Sequence, residues 1–203
     1  MTRFPKLNLL FLALTALMFC APLSGFGEMS KWNLDKAHTT IGFAVKHMVV
    51  SKTTGKFLDY TGVVEMDANA QEFKTIQATI QTNSIFTDHE KRDAHLRSPD
   101  FFDVKTFPTM TYTMKSYTKS GDTYTAKGDL TIKGVTKEIT LVGTFNGVAK
   151  DPWGNTRAGF TAHGTINRQD FGVNFSKLLD NGGLMVGNDV QINLEVEVIK
   201  AKS

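Results

Sequence analysis

From Trp32 to the C-terminus, apolar and polar residues alternate with a period of two. Such a period lines every second side chain of an extended strand on one face, and no helix presents it that way. The cleanest series is Val190, Ile192, Leu194, Val196 and Val198, set against Gln191, Asn193, Glu195 and Glu197. Ile41, Phe43, Val45 and His47 make another, as do Ile76, Ala78 and Ile80. Met110–Met114, Tyr124–Ile132, Ile139–Phe145 and Ala158–Ile166 repeat the pattern. Thr53–Asp67 reads as one further strand, bent or bulged at Gly55 or Gly62. Turn signals part these runs: Ser120-Gly-Asp122, Lys133-Gly-Val135, Asp151-Pro-Trp-Gly-Asn155 and Asn181-Gly-Gly183. About eight strands at hairpin spacing close as an antiparallel barrel or pack as a sandwich.

Lys, Glu, Gln and Thr occupy one face of most strands, so the apolar face turns inward. That excludes an outer-membrane barrel, whose outer face would be apolar. The inward positions include Ala78, Ala126, Gly128, Gly143, Ala158, Ala162 and Gly164. Small residues there either leave a cavity or relieve bending at barrel corners. One segment, Thr87–Leu96, is polar and lacks the alternation. Thr87 or Asp88 would cap a short helix there, and Ser98-Pro99 would end it. Such a helix covers one barrel end.

The N-terminus precedes all of this. Arg3 and Lys6 stand before the apolar run Leu7–Ala21, and Ser24, Gly25 and Gly27 follow it. That is the order of a secretory signal peptide, too short for a membrane span. A cut after Gly27 leaves residues 28–203 as one domain. It removes two cations, no acid and the lone cysteine, Cys20, and lowers the net charge from +3 to +1. So small a charge gives no argument for nucleic acid.

Catalytic motifs are absent. The histidines are His38, His47, His89, His95 and His163, and none stands in an HExxH pattern. No serine lies in GxSxG, and Gly182-Gly183 is a turn rather than a phosphate loop. No metal set is predicted, and no catalytic residue. Arg92, His95 and Arg97 lie beside Phe101-Phe102. They would hold a polar headgroup at a barrel rim, or Arg92 would pin the helix through an ion pair with Asp93 or Asp103.

Several long motifs carry a resemblance. They are Trp32–His47, Thr54-Gly-Lys-Phe57, Arg92–Asp103 with Phe107-Pro108, and Gly128–Lys137. Asp151-Pro-Trp-Gly154, Ile166-Asn-Arg-Gln-Asp-Phe-Gly172 and Val186-Gly-Asn-Asp-Val190 complete the set. Together they run in order from about Trp32 to Lys200, and the chain resembles the YceI-like family of polyisoprenoid-binding proteins. Gln169 departs from the usual Ser before Asp-Phe-Gly.

The resemblance implies a lipocalin-like antiparallel barrel with an elongated apolar pocket. It implies a bound polyprenyl phosphate, prenylated quinone or similar amphiphile as ligand, with no other cofactor, and export to the periplasm. It implies no enzyme activity. A homodimer and transient membrane contact are compatible with it. The expected wall residues are Phe43, Val45, His47, Phe57, Ile80, Met110, Tyr112, Leu130 and Phe160, with Phe171 and Phe175 at the mouth. Two other readings stand beside this one. In the first, His38, His47 or His95 serves as the base of a lipid-directed enzyme. In the second, the barrel is filled and serves a structural or stress role.

Overall fold

The computed structural model describes residues 29–48, 50–69, 71–178 and 182–202. The leader read at residues 1–27 and Cys20 lie outside these. Eleven strands and one helix follow in chain order: β1 (Ser30–Leu34), β2 (Thr40–His47), β3 (Ser51–Phe57), β4 (Tyr60–Asp67), β5 (Glu72–Gln81), β6 (Ile85–Phe86), α1 (Glu90–Arg97), β7 (Thr109–Ser120), β8 (Thr123–Ile132), β9 (Val135–Lys150), β10 (Thr156–Asn167) and β11 (Val186–Lys200). All described pairings are antiparallel. Eight of the strands close a ring in the order β1-β4-β5-β7-β8-β9-β10-β11, with β1 returning to β11. β2, β3 and β6 form a flap that branches from β11. The expected barrel of about eight strands with a short helix is present.

The branch point follows from the length of β11. Val186 and Val190–Glu195 pair with β2 across a bulge, and Val198–Lys200 pair with β1. Thr39 and Asp35 bridge the change of partner. The Thr39 hydroxyl donates to the Glu197 carbonyl and accepts from the Glu197 amide, while the Asp35 amide donates to the same carbonyl. The β1–β2 link thus stays hydrogen-bonded to β11 where the partner changes.

Thr53–Asp67 is not one strand. The chain turns at Leu58-Asp59, where the Leu58 amide bonds to Ser84 and the Gln81 amide bonds to the Asp59 carbonyl. Phe57 and Tyr60 anchor the corner from either side, both buried. Register runs regularly through Gly55 and Gly62, and the slip comes between Glu65 and Met66. The two glycines serve close approach instead. A Cβ on Gly62 would lie 2.6 Å from Leu34, and one on Gly55 would meet Phe43 and Thr87.

The helix cap also differs from expectation. His89, not Thr87 or Asp88, caps α1, its Nδ1 accepting from the Arg92 amide. The Thr87 hydroxyl is already committed, donating to the buried Asp93 carboxylate and accepting from Arg92 Nε. Arg92 therefore bonds Thr87 rather than forming the expected ion pair with Asp93 or Asp103. Arg97 donates to the carbonyls of Asn83 and Ile85, and Ser98 ends the helix as read. These bonds pin α1 to β6, so its cations serve the fold rather than a rim site.

Two apolar clusters occupy the two ends of the barrel. Trp32, Val64, Met66, Ala158 and Val198 make one. Phe57, Tyr60, Ile80, Ile85, Phe101, Met110, Leu130, Ile132, Phe171 and Val173 make the other, beneath α1.

Candidate ligand cavity

Between the clusters the inward side chains leave a cavity of about 320 Å³. That lies at the lower end of the range of ligand pockets. Its wall is the apolar half of each alternating strand. From β11 come Val190, Ile192, Leu194 and Val196, and from β8 come Ala126, Leu130 and Ile132. Polar side chains are few: Thr39, Gln77, Thr144, Thr161 and Arg168.

Eight of the expected wall residues line it: Phe43, Val45, Phe57, Ile80, Met110, Tyr112, Leu130 and Phe160. His47, Phe171 and Phe175 do not. His47 ends β2, half-buried and paired with Ser51 and with Val186, which does line the cavity. Phe171 is 2% exposed and packs into the cluster beneath α1, behind the wall. Phe175 stacks outside it, 4.8 Å from the Phe101 ring and 5.0 Å from His95.

The small residues divide between the two readings. Ala78, Ala126 and Ala162 line the cavity and leave it space. Gly128 holds the Tyr112 ring, which a Cβ there would meet at 2.5 Å. Gly164 lets the Thr140 carbonyl approach, and Gly143 that of Thr161, as corner glycines do. Ala158 is buried in the Trp32 cluster.

Of an aromatic end of the cavity, the sequence marks Phe160 as wall and sets Tyr124 and Phe145 in alternating series, but not Phe73 or Tyr117. Phe73, Tyr117, Tyr124, Phe145 and Phe160 all face the cavity, with Phe73 at their centre. Its ring lies 5.3 Å from Tyr124, 5.5 Å from Phe160 and 5.6 Å from Tyr117. The Tyr117 hydroxyl accepts from the Phe73 amide, and the Tyr124 hydroxyl donates to Gln71. Both polar tips are thus satisfied while the rings stay apolar. Each comes from a different strand, so no local spacing signals the group. Tyr112 differs: burial pushes its hydroxyl up to about 12, and it has no hydrogen-bond partner among the described residues.

None of the histidines lines the cavity. His95 bonds Asp100 at 2.8 Å on the outside of α1, and His163 is exposed as its register implies. His38 bonds Asp35 at 2.8 Å. Asp35, His38 and Glu197 also bring ligand-type atoms within 4.8 Å. Arg157 claims that space, donating from Nη1 to both carboxylates and from Nε to Asp151. The group is an ion-pair network.

This network predicts a pH dependence. The His38 hydrogen bond leads in lowering Asp35 from 3.8 to about 2, against burial, with help from Arg157 and the Ala37 amide. Burial pushes Asp151 up, but Asn155, Arg157 and the backbone amides of Asn155 and Trp153 outweigh it and hold it at about 2. A carboxyl whose value drops on folding adds stability above its unfolded value and loses it as pH falls through the folded one. The urea midpoint should therefore fall between about pH 4 and 2, and fall less in an Asp35→Asn/Asp151→Asn variant. Equal falls would place the acid sensitivity elsewhere.

A family model described as YceI-like domain matches residues 32–198. A UPF0312 protein of Staphylococcus aureus is 42% identical over 172 residues, covering 83% of this chain and 97% of that protein. The crystal structure of a Campylobacter jejuni YceI protein is similar at 39% identity and TM-score 0.68, covering 83% of this chain and 97% of that one. A polyisoprenoid binding domain from Saccharophagus degradans shares the fold at TM-score 0.63 and 13% identity, covering 86% of this chain and all of that one.

Proposed function

Because the chain belongs to the YceI-like domain family, we propose that its barrel holds a long-chain isoprenoid or similar amphiphile, a polyprenyl phosphate or prenylated quinone, in the periplasm for transport or storage. The observation that carries this reading is the cavity. About 320 Å³ of space with an almost wholly apolar lining is room for a greasy tail rather than a close-packed core. A tail placed there contributes about 0.8 kcal/mol per buried CH₂. The largely apolar wall suits a tail. The Saccharophagus domain, described as polyisoprenoid binding, supports the ligand class through its shared fold. The leader-like residues 1–27 support the compartment.

Native mass spectrometry of protein expressed with its leader and purified without detergent tests this. A retained adduct whose extracted lipid carries prenyl units is expected. Repeated absence of any lipid, with no uptake of prenyl quinone on titration, overturns it.

A further inference from the structure

Arg168 follows β10 directly, in a 3-10 turn spanning Arg168–Phe171. It is 5% exposed and lines the cavity. Its hydrogen bonds hold the chain that leads into β11. Nε donates to the Gly187 carbonyl at 2.9 Å and Nη1 to that of Val173 at 2.6 Å. Nη2 donates to the Val186 carbonyl at 3.3 Å and to Asn188 Oδ1 at 3.1 Å.

Every one of these acceptors is neutral. Among the described residues no carboxylate lies within ion-pair distance of Arg168. A guanidinium has five N–H groups, and four are used, so one Nη1 hydrogen has no acceptor among the described residues. Arg157 shows the contrast, since it meets three carboxylates. A buried charge is ordinarily paired, because carbonyl dipoles replace water only in part. Burial indeed pushes Arg168 below the ordinary arginine value. The cavity wall around it is apolar: Ile166, Val173, Val186 and Val190. The described residues thus leave Arg168, which lines the cavity, without a counter-charge.

We propose that Arg168 is the headgroup anchor of the cavity and selects amphiphiles with an anionic oxygen, phosphate or carboxylate, over neutral ones. The proposal rests on the lipid-binding reading above. A tail in this orientation runs from Arg168 toward the aromatic end around Phe73. In so apolar a setting, a charge-assisted hydrogen bond discriminates strongly against a neutral hydroxyl.

The test titrates geranylgeranyl phosphate, geranylgeranoic acid and geranylgeraniol into wild type and Arg168→Gln. Wild type should bind the phosphate, or both anions, at least about tenfold more tightly than the alcohol. In R168Q that ratio should collapse to within about twofold. Preference for the phosphate alone would name phosphate as the headgroup, and preference for both would name any anionic oxygen. Equal binding of all three by wild type, or an undiminished ratio in R168Q, overturns the proposal. Failure of all three to bind overturns the lipid-binding reading and this one with it. If R168Q does not fold, ¹⁵N–¹H spectra of wild-type Arg168 decide. Its guanidinium signals should move with the anions and not with the alcohol, and signals that move equally with all three, or with none, refute it.

Discussion

Chains carrying Ala126→Phe together with Ala162→Phe should fold and lose their lipid. Both alanines line the cavity, on β8 and β10, which flank β9 from either side. Two rings there fill space that the native residues leave free. Overpacking a dense core costs about 1–3 kcal/mol, but a cavity relieves most of that strain. The urea midpoint should therefore hold or rise. Binding should not. Excluding one isoprene unit of about five carbons forfeits up to about 4 kcal/mol, on the order of a thousandfold in affinity. Ordering costs in the ligand reduce this figure, so a loss of one hundredfold or more is the expected result. Native mass spectrometry reads the loss and urea denaturation reads the fold. Undiminished lipid in the double variant would mean that the ligand lies elsewhere.

The largest stability change should come from Trp32→Ala. Trp32 is 1% exposed and packs with Val64, Met66, Ala158 and Val198. Its indole N–H donates to Ser30 Oγ at 3.1 Å, so the buried ring leaves no polar atom unpaired. Truncation opens a hole among β1, β4, β10 and β11 and should cost about 3–5 kcal/mol. The other tryptophan supplies the control. Trp153, 80% exposed in the β9–β10 turn, should tolerate Ala within about 0.5 kcal/mol. Urea midpoints of the two variants make the comparison, and similar small losses would show that the Trp32 cluster does not hold the barrel.

Much of the barrel was legible because its determinants are local. A period of two survives any strand partner, so the wall residues of β8, β10 and β11 could be placed from their neighbours alone. What escaped was non-local. The corner at Leu58-Asp59 is set by Ser84 and Gln81, more than twenty residues away, and no turn dipeptide marks it. The division of β11 between β2 and β1 depends on Thr39, whose bonding partner is Glu197. The cavity divides in the same way. Phe43 and Leu130 could be assigned to it by alternation, but His47, in step with Phe43 on β2, does not line it. Arg168 was inside a recognised motif, yet a cation reads as exposed until the fold buries it. The aromatic group around Phe73 escaped as a group because its members come from five strands, and only closure assembles them.

The divided pairing of β11 also bears on when this protein can fold. β11 follows the other described strands in the chain, and it pairs with β10, β2 and β1. Its partner β1 stands at the opposite end of the described chain, so the ring's closing contact spans nearly its whole length. Without β11, neither β1 nor β2 has the partner through which it joins the ring's last strand. Ring closure therefore waits on a contact of long sequence separation and comes late in folding.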